Sequence, residues 1–151
     1  MPLVSRSKTI SAVPERLWTL VSDPERLPEW WPNVQRVEDA SRRSWTAVLG
    51  SPKGGKTLRA DYTLLDSDHP HLLRWRHEVA ETPFERILRD SVTAVELEPA
   101  DAEATVVRIS TRLTPRGFSR LGGLQLGRAT RKTIDGALAA LEDRAREWGA
   151  E

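Results

Sequence analysis

Between Val34 and Thr114 the chain repeats one pattern, in which short strand-like segments are separated by clusters of turn residues. The segments are VQRVEDAS, SWTAVL, TLRADYTLLD, HLLRWRHEVA, ERILRDSVTAVELE and ATVVRISTRLT, and the clusters include SRRS, GSPKGG, DSDHP and EPADAEA. Short connections of this kind join neighbouring antiparallel strands. The pattern therefore predicts a six-stranded meander and argues against an alternating α/β architecture.

Strand and helix patterns also flank the meander. Leu3–Ala12 has strand character but few large apolar residues, which predicts an edge strand. Pro14 suits a first helical turn, and Asp23 suits the start of a second short helix that Pro28 keeps brief. Apolar residues recur at helical spacing from about Ser119 to Trp148 and predict a long helix. Because a sheet with one apolar face needs a cover, this helix is expected to pack across the sheet.

The octapeptide GSPKGGKT, Gly50 to Thr57, fits the phosphate-binding pattern G-x-x-x-x-G-K-[ST]. A phosphate-binding loop of this type needs a helix directly after it. The residues that follow instead alternate between apolar and polar, with Leu58, Ala60, Tyr62 and Leu64 on one side. A strand there makes Gly54 and Gly55 part of a hairpin loop. Nucleotide binding at Gly50–Thr57 is accordingly the least favoured function.

Composition excludes several further classes of protein. The 151 residues suit a single domain, 1–151. The 23 basic and 22 acidic residues nearly cancel, so no strong field favours nucleic acid. The absence of cysteine excludes disulfides, thiol nucleophiles and cysteine-bound metals. The N-terminus is too polar for a signal peptide and no apolar run could span a bilayer, so a cytoplasmic location is expected.

The order of elements, one strand, two short helices, six strands and a long helix, resembles the START-like (SRPBCC) superfamily, in particular its polyketide cyclase/dehydrase family. The resemblance rests on SAVPERLWTLVSDPERLPEWWPNV, VELEPADAEATVVRISTRLTP and GALAALEDRAREW, and it covers essentially the whole chain. It implies an α+β helix-grip fold, in which a curved seven-stranded antiparallel sheet grips the C-terminal helix. It also implies a cavity between sheet and helix that receives an apolar ligand, without a cofactor. Members include lipid and hormone carriers and aromatase/cyclases.

The strand phases predict which residues face that cavity. They are Leu58, Ala60, Tyr62 and Leu64 on one strand, Leu73, Trp75 and His77 on the next, and Val107, Ile109 and Thr111 on the last. The resemblance adds Trp30 and Trp31 near the cavity mouth, with one ring at the entrance and the other in the core, and a structural role for both rings is the equally favoured alternative. The long helix adds Leu124 and Arg131, although an arginine there more commonly extends to solvent.

Two of these residues could carry chemistry. His77 shares a face with Trp75 and could act as a general acid or base, or could orient a ligand oxygen. Tyr62 could orient a polar ligand group through its hydroxyl. A hydrogen-bonded histidine at the sheet rim and a core tyrosine are the structural alternatives. Asp66, Asp68, His69 and His71 could ligate a metal, but a polar turn fixes no tetrahedral geometry, and no metal is expected.

The leading hypothesis is that the protein binds a small apolar or aromatic ligand, lipid-like or polyketide-like, between sheet and helix. The alternative is an aromatase/cyclase-type enzyme that bends a polyketide chain and uses His77, Tyr62 or an arginine for proton transfer. The expected partner is a small molecule, not a nucleic acid or a membrane. A monomer and a homodimer are both compatible with the sequence.

Overall fold

The structure, a computed structural model, describes residues 3–50, 55–116 and 120–149, apart from the side chains of residues 83 and 120–123. Seven strands form one antiparallel sheet in the order β1-β7-β6-β5-β4-β3-β2. The strands are β1 Leu3–Ile10, β2 Val34–Glu38, β3 Ser44–Leu49, β4 Leu58–Asp68, β5 Leu72–Glu78, β6 Leu88–Pro99 and β7 Thr105–Pro115. The α-helices are α1 Pro14–Val21 and α2 Arg120–Gly149, and 3₁₀ helices span Pro24–Glu29 and Pro83–Arg86. The predicted helix-grip fold is confirmed, and β1 is an edge strand.

The two short helices after β1 have the predicted local causes. Pro14 opens α1 with its fixed φ, and the Ser22 hydroxyl ends it by donating to the Trp18 carbonyl at 2.6 Å. The Asp23 side chain then caps the next helix by accepting from the Glu25 backbone N–H at 3.0 Å. This second helix is of the 3₁₀ type and contains Pro28, which cannot continue an α-helix. Together the two helices close one end of the sheet's inner face.

The pairing of β4 with β5 decides which side chains turn inward. Tyr62 lies opposite His77, and Leu64 lies opposite Trp75. The register shifts only between Leu64 and Asp66, beyond these pairs. The alternation predicted from the sequence is therefore preserved at Tyr62 and His77, and both face the inner side of the sheet.

The strand β6 begins irregularly. It follows the 3₁₀ helix Pro83–Arg86, and its register against β7 shifts between Leu88 and Asp90. From Ser91 onwards alternate residues are buried, so the strand regains a strict inward face. The shift explains why the sequence pattern breaks near Leu88.

The phosphate-loop match lies between β3 and β4, and residues 51–54 of it lie outside the described residues. Gly55 has a φ of 110°, a conformation that glycine adopts at little cost. Leu58 begins β4 directly opposite Leu49, so a strand and not a helix follows Thr57. The helix that a phosphate-binding loop requires does not follow Thr57, so the structure argues against a nucleotide site at Gly50–Thr57.

The helix α2 is held at its C-terminal half. Its inward residues there join the same core as β1 and β7, namely Ile134, Ala137, Leu138, Leu141 and Ala145 with Val4, Ile10, Val107 and Ile109. A Cβ atom on Gly136 would lie 2.9 Å from Cγ of Pro32, so glycine permits a close approach at this crossing. Within the described ranges, no helix is long and apolar enough to cross a membrane.

Replacing Thr105 with valine should lower the free energy of unfolding by about 1–3 kcal/mol. The fully buried Thr105 hydroxyl donates to the Ala12 carbonyl at 2.7 Å, and valine would leave that carbonyl without this partner. Thr9→Val, at an exposed position of β1, is the matched control and should change stability by less than about 0.5 kcal/mol. Urea denaturation measures both variants. Equal effects of the two substitutions would contradict this role of Thr105.

Candidate functional site

A cavity of about 260 Å³ lies between the inner face of the sheet and the N-terminal half of α2. Its sheet wall comes from β3 to β7, and its other walls come from α2, the 3₁₀ helix Pro83–Arg86 and the segment before β2. The lining residues are Trp31, Pro32, Asn33, Leu49, Tyr62, Trp75, His77, Phe84, Ile87, Leu88, Ser91, Thr93, Thr111, Leu113, Leu126, Ala129, Thr130, Thr133 and Ile134. Among the described side chains of α2, the buried ones begin at Ile134, and the cavity lies beneath the part of the helix before it.

Stacked rings form one wall of the cavity. Tyr62 stacks on His77 with ring centroids 4.9 Å apart. Phe84 meets the His77 ring edge-on, with ring centroids 4.7 Å apart. Trp31 and Trp75 meet edge-on at 5.6 Å. Contacts of this geometry stabilise aromatic pairs beyond the area that they bury. The rings fix the position of the His77 imidazole within the wall.

The His77 imidazole is the one titratable group of the wall that could ionise near neutral pH. It is 9% exposed, and its Nε2 atom is buried without a hydrogen-bond partner. Burial lowers the pKa of His77 below 6.5, and the carboxylates of Asp61 and Glu78 only partly oppose this effect. The imidazole is therefore neutral at pH 7, and Nε2 keeps an unused capacity for one hydrogen bond.

Hydroxyl groups supply the other polar atoms of the cavity. Burial raises the pKa of Tyr62 to about 12, so its phenol keeps its proton at every physiological pH. The hydroxyl oxygens of Thr93 and Thr111 lie 2.9 Å apart on neighbouring strands. One of these hydroxyls donates to the other, which leaves the second proton available for a ligand. The cavity therefore offers neutral donors and acceptors.

Charge is missing from the lining as the structure describes it. None of the described lining residues is an aspartate, glutamate, lysine or arginine. An ionised ligand would lose hydration in this cavity without gaining a counter-charge, which costs several kcal/mol. The arrangement favours a neutral molecule with an apolar body and one or two polar atoms.

The comparisons with known proteins agree with this geometry. The sequence profile of the family described as "Polyketide cyclase / dehydrase and lipid transport" matches residues 1–146. The chain belongs to this family. No curated protein sequence matches the chain significantly.

Three solved structures are similar in fold to this chain. A START superfamily protein from Mycobacterium smegmatis has a TM-score of 0.79 at 14% identity, over 97% of this chain and 98% of that chain. The ZhuI aromatase/cyclase from Streptomyces sp. R1128 has a TM-score of 0.77 at 15% identity, over 96% and 93%. The protein XoxI from Bacillus cereus has a TM-score of 0.76 at 19% identity, over 99% of both chains. Identities this low show the shared fold alone.

In this member of the polyketide cyclase/dehydrase family, five of the residues predicted from the sequence lie along the cavity. They are Trp31, Tyr62, Trp75, His77 and Thr111. Trp30 is 1% exposed and packs edge-on against Trp31, so one tryptophan of the pair is in the core and the other is at the cavity. The remaining buried residues of the predicted set face inward at other places: Ala60, Leu73, Val107 and Ile109. Leu64 is half-buried and packs against the same core.

Three further predicted positions are exposed and do not face the cavity. Leu58 begins β4 at the end of the sheet and is 45% exposed. Leu124 is 60% exposed, and Arg131 is also exposed. The face of α2 that meets the cavity contains Leu126 and Thr130. At about 100° of rotation per residue, Leu124 and Arg131 point away from that face.

Sequence reasoning missed most of the contribution of β6 and of the 3₁₀ helix before it. Phe84, Ile87, Leu88, Ser91 and Thr93 all line the cavity. The inward positions of Ser91 and Thr93 are polar, and the register shift after Leu88 interrupts the alternation. The period of two that continues from Ser91 to Leu97 was the available signal.

The potential metal ligands of the turn before β5 contact different partners. Nε2 of His69 lies 3.0 Å from a Glu15 carboxylate oxygen, and Nδ1 of His71 lies 3.3 Å from the Leu97 carbonyl. Asp66 pairs with Arg74 at 2.7 Å. Among the residues that the structure describes, no three potential ligands meet at one point.

Replacing His77 with phenylalanine should remove a pH dependence of stability. The unfolded chain keeps a histidine pKa near 6.5, whereas burial lowers the pKa in the folded protein. The unfolded state therefore gains a proton first as the pH falls below about 6.5, and the wild type loses free energy of unfolding there. Urea denaturation between about pH 7.5 and pH 5.5 should show the wild type losing more stability than His77→Phe.

The exposed residue His71 provides the control for this comparison. His71→Gln should lose stability with falling pH as the wild type does, since it leaves the buried imidazole in place. A difference between wild type and His77→Phe that stays constant across the pH range would show that His77 is not desolvated in the folded protein.

Proposed function

We propose that the protein binds one small neutral molecule, apolar or aromatic in its body, in the cavity between the sheet and α2. The observation that carries the proposal is the combination of apolar walls with an unpartnered polar atom, Nε2 of His77. A buried polar atom without a partner costs roughly 1–3 kcal/mol. A ligand that bonds to Nε2 would remove this cost on binding.

The size of the cavity limits the size of the ligand. An apolar cavity of about 150 Å³ is enough to bind benzene, and drug-sized ligands occupy roughly 300–1,000 Å³. The cavity here, at about 260 Å³, lies between these values. It suits a compound of one or two rings, or a short segment of a lipid-like or polyketide-like chain.

The placement of the polar groups supports one orientation of the ligand. Trp75 lies opposite Thr93, and Thr93 lies opposite Thr111, so these three side chains form a row across the inner face. His77 follows Trp75 by two residues on the same face of β5. These buried polar groups lie on the sheet side, whereas α2 contributes Leu126 and Ile134 together with Thr130 and Thr133, and the Thr133 hydroxyl already donates to the Ala129 carbonyl. A ligand oxygen would point to the sheet and the ring would lie under the helix.

A cyclase-type enzyme is the second candidate, and the pairing of His77 with Tyr62 favours it. Ring closure by an aldol-type condensation needs a base that removes a proton from carbon and a donor that protonates the carbonyl oxygen, and it releases water. The neutral His77 imidazole could act as the base, and the Tyr62 phenol could act as the donor. The solved ZhuI aromatase/cyclase shares the fold. A carrier returns its ligand unchanged, whereas a cyclase yields a cyclised or dehydrated product.

Filling the cavity should abolish ligand binding. Ser91 is buried on the inner face of β6, and Ser91→Leu would place an isobutyl group in the space that a ligand would occupy. Isothermal titration calorimetry with 2-naphthol, a neutral two-ring phenol, should show binding to the wild type and at least about tenfold weaker binding to the variant.

The matched control is Ala94→Leu, which adds a similar side chain to the outer face of the same strand. It should leave the affinity for 2-naphthol unchanged, and thermal unfolding checks that both variants are folded. Equal binding by the wild type and Ser91→Leu would contradict the proposed site.

A further inference from the structure

Two smaller voids continue from the main cavity along the inner face of the sheet. The middle void, of about 10 Å³, is lined by Leu27, Trp31, Val34, Trp45, Ala47, Tyr62 and Trp75. The far void, of about 20 Å³, is lined by Val21, Ser22, Pro24, Leu27, Arg42, Trp45, Leu64, Leu73 and Trp75. A void of this size holds about one water molecule, so neither void is a ligand site as it stands.

Aromatic side chains separate the three spaces. Trp75 borders all of them, Trp31 and Tyr62 border the main cavity and the middle void, and Trp45 borders the middle and far voids. The Trp75 ring meets Trp31 at 5.6 Å and Trp45 at 6.1 Å, edge-on in both cases. The spaces therefore form a row in which Trp75 is the shared partition.

The row contains a second buried polar atom without a partner. Nε1 of Trp45 has no hydrogen-bond partner, although the residue is only 5% exposed. The indole N–H can only donate, so it needs an acceptor. The Ser22 hydroxyl, which lines the far void together with Trp45, donates to the Trp18 carbonyl and receives no hydrogen bond from the indole. Since Trp45 borders both small voids, an acceptor placed there would satisfy the indole.

We propose that the voids next to Trp45 form a second subsite that opens when Trp75 turns aside. This inference rests on the proposed function and deepens it, because it names the class of ligand. The ligand is an elongated neutral molecule whose ring occupies the main cavity. Its narrow apolar tail passes Trp75 and ends in a carbonyl, ether or hydroxyl oxygen that accepts from the Trp45 indole.

The walls of the subsite fit such a tail. Apart from the tryptophans and Tyr62, the middle void is bordered by Leu27, Val34 and Ala47, whose side chains are apolar. Arg42 is the one charged residue along the described lining of the far void, and it is exposed. A ligand tail that is apolar along its length therefore fits these walls. It needs one hydrogen-bond acceptor at its far end, next to the Trp45 indole.

Two isomeric ketones test the subsite, with 2-naphthol as the probe of the main cavity. In 6-phenylhexan-2-one the carbonyl lies near the end of the tail, whereas in hexanophenone it lies next to the ring. Trp45→Phe keeps an aromatic ring and removes the donor. Calorimetry should show about fivefold weaker binding of 6-phenylhexan-2-one to this variant, with the affinities for hexanophenone and 2-naphthol unchanged.

The partition is tested by Trp75→Leu, which opens the row without removing the indole of Trp45. It should strengthen the binding of 6-phenylhexan-2-one relative to 2-naphthol. The subsite is overturned if the wild type binds 2-naphthol but not 6-phenylhexan-2-one, or if Trp45→Phe affects all three probes alike. Failure of 2-naphthol to bind the wild type would instead reject the main cavity as a binding site, and the subsite with it.

A measurement on the wild type keeps the test valid even if a tryptophan variant does not fold. The ¹H–¹⁵N resonance of the Trp45 indole should move downfield when 6-phenylhexan-2-one is added, because the N–H gains an acceptor. Hexanophenone should leave it unshifted. An indole resonance that responds equally to both isomers would overturn the proposal.

Discussion

The packing of α2 against the sheet is the interaction on which the rest of the structure depends. Ile134 and Leu141 are fully buried against β1 and β7, and Gly136 lets the helix approach Pro32 closely. These contacts hold only the C-terminal half of the helix. The N-terminal half is kept over the sheet by the rigidity of the helix, and the space beneath it is the cavity. The packing of the C-terminal half of α2 thus completes the core and also leaves room for the cavity.

The inner face of the sheet carries polar side chains at the positions that border the cavity. A sheet that faced only a packed core would carry apolar residues at its inward positions. Here Ser91, Thr93 and Thr111 occupy inward positions next to His77, and Nε2 of His77 and Nε1 of Trp45 are left without partners. Such groups lower stability, and a ligand that bonds to them would compensate for the loss. Four buried side-chain atoms of the described residues lack a partner, on Trp30, Trp45, His77 and Arg144. Those of Trp45 and His77 belong to rings on either side of Tyr62, which stacks on both.

The sequence predicted the fold well because its signals are local. Alternation at period two identified the strands, and Pro14, Asp23 and Pro28 marked the short helices. The same alternation placed Tyr62 and His77 on the inner face, since the register shift in β4 falls after them. The cavity itself came from the family resemblance and not from the residue pattern.

The errors concern features that depend on tertiary geometry. Leu124 and Arg131 lie beyond Leu138, at one edge of the buried face of α2, but the helix meets the cavity with the opposite edge, which contains Leu126 and Thr130. No periodicity shows where a helix leaves its packed contact. Likewise, the register shift at β6 hid Ser91 and Thr93, and nothing in the sequence shows that the Trp45 indole lacks an acceptor.

The central claim is that a neutral ligand binds under α2 and bonds to His77. The most direct test is the ¹⁵N chemical shift of the His77 imidazole, recorded at pH 7 with and without 2-naphthol. The account predicts a shift of the Nε2 resonance on binding, because Nε2 gains its missing partner, and no comparable change at the exposed His69 and His71. Binding of 2-naphthol that leaves the His77 resonances unchanged would contradict it.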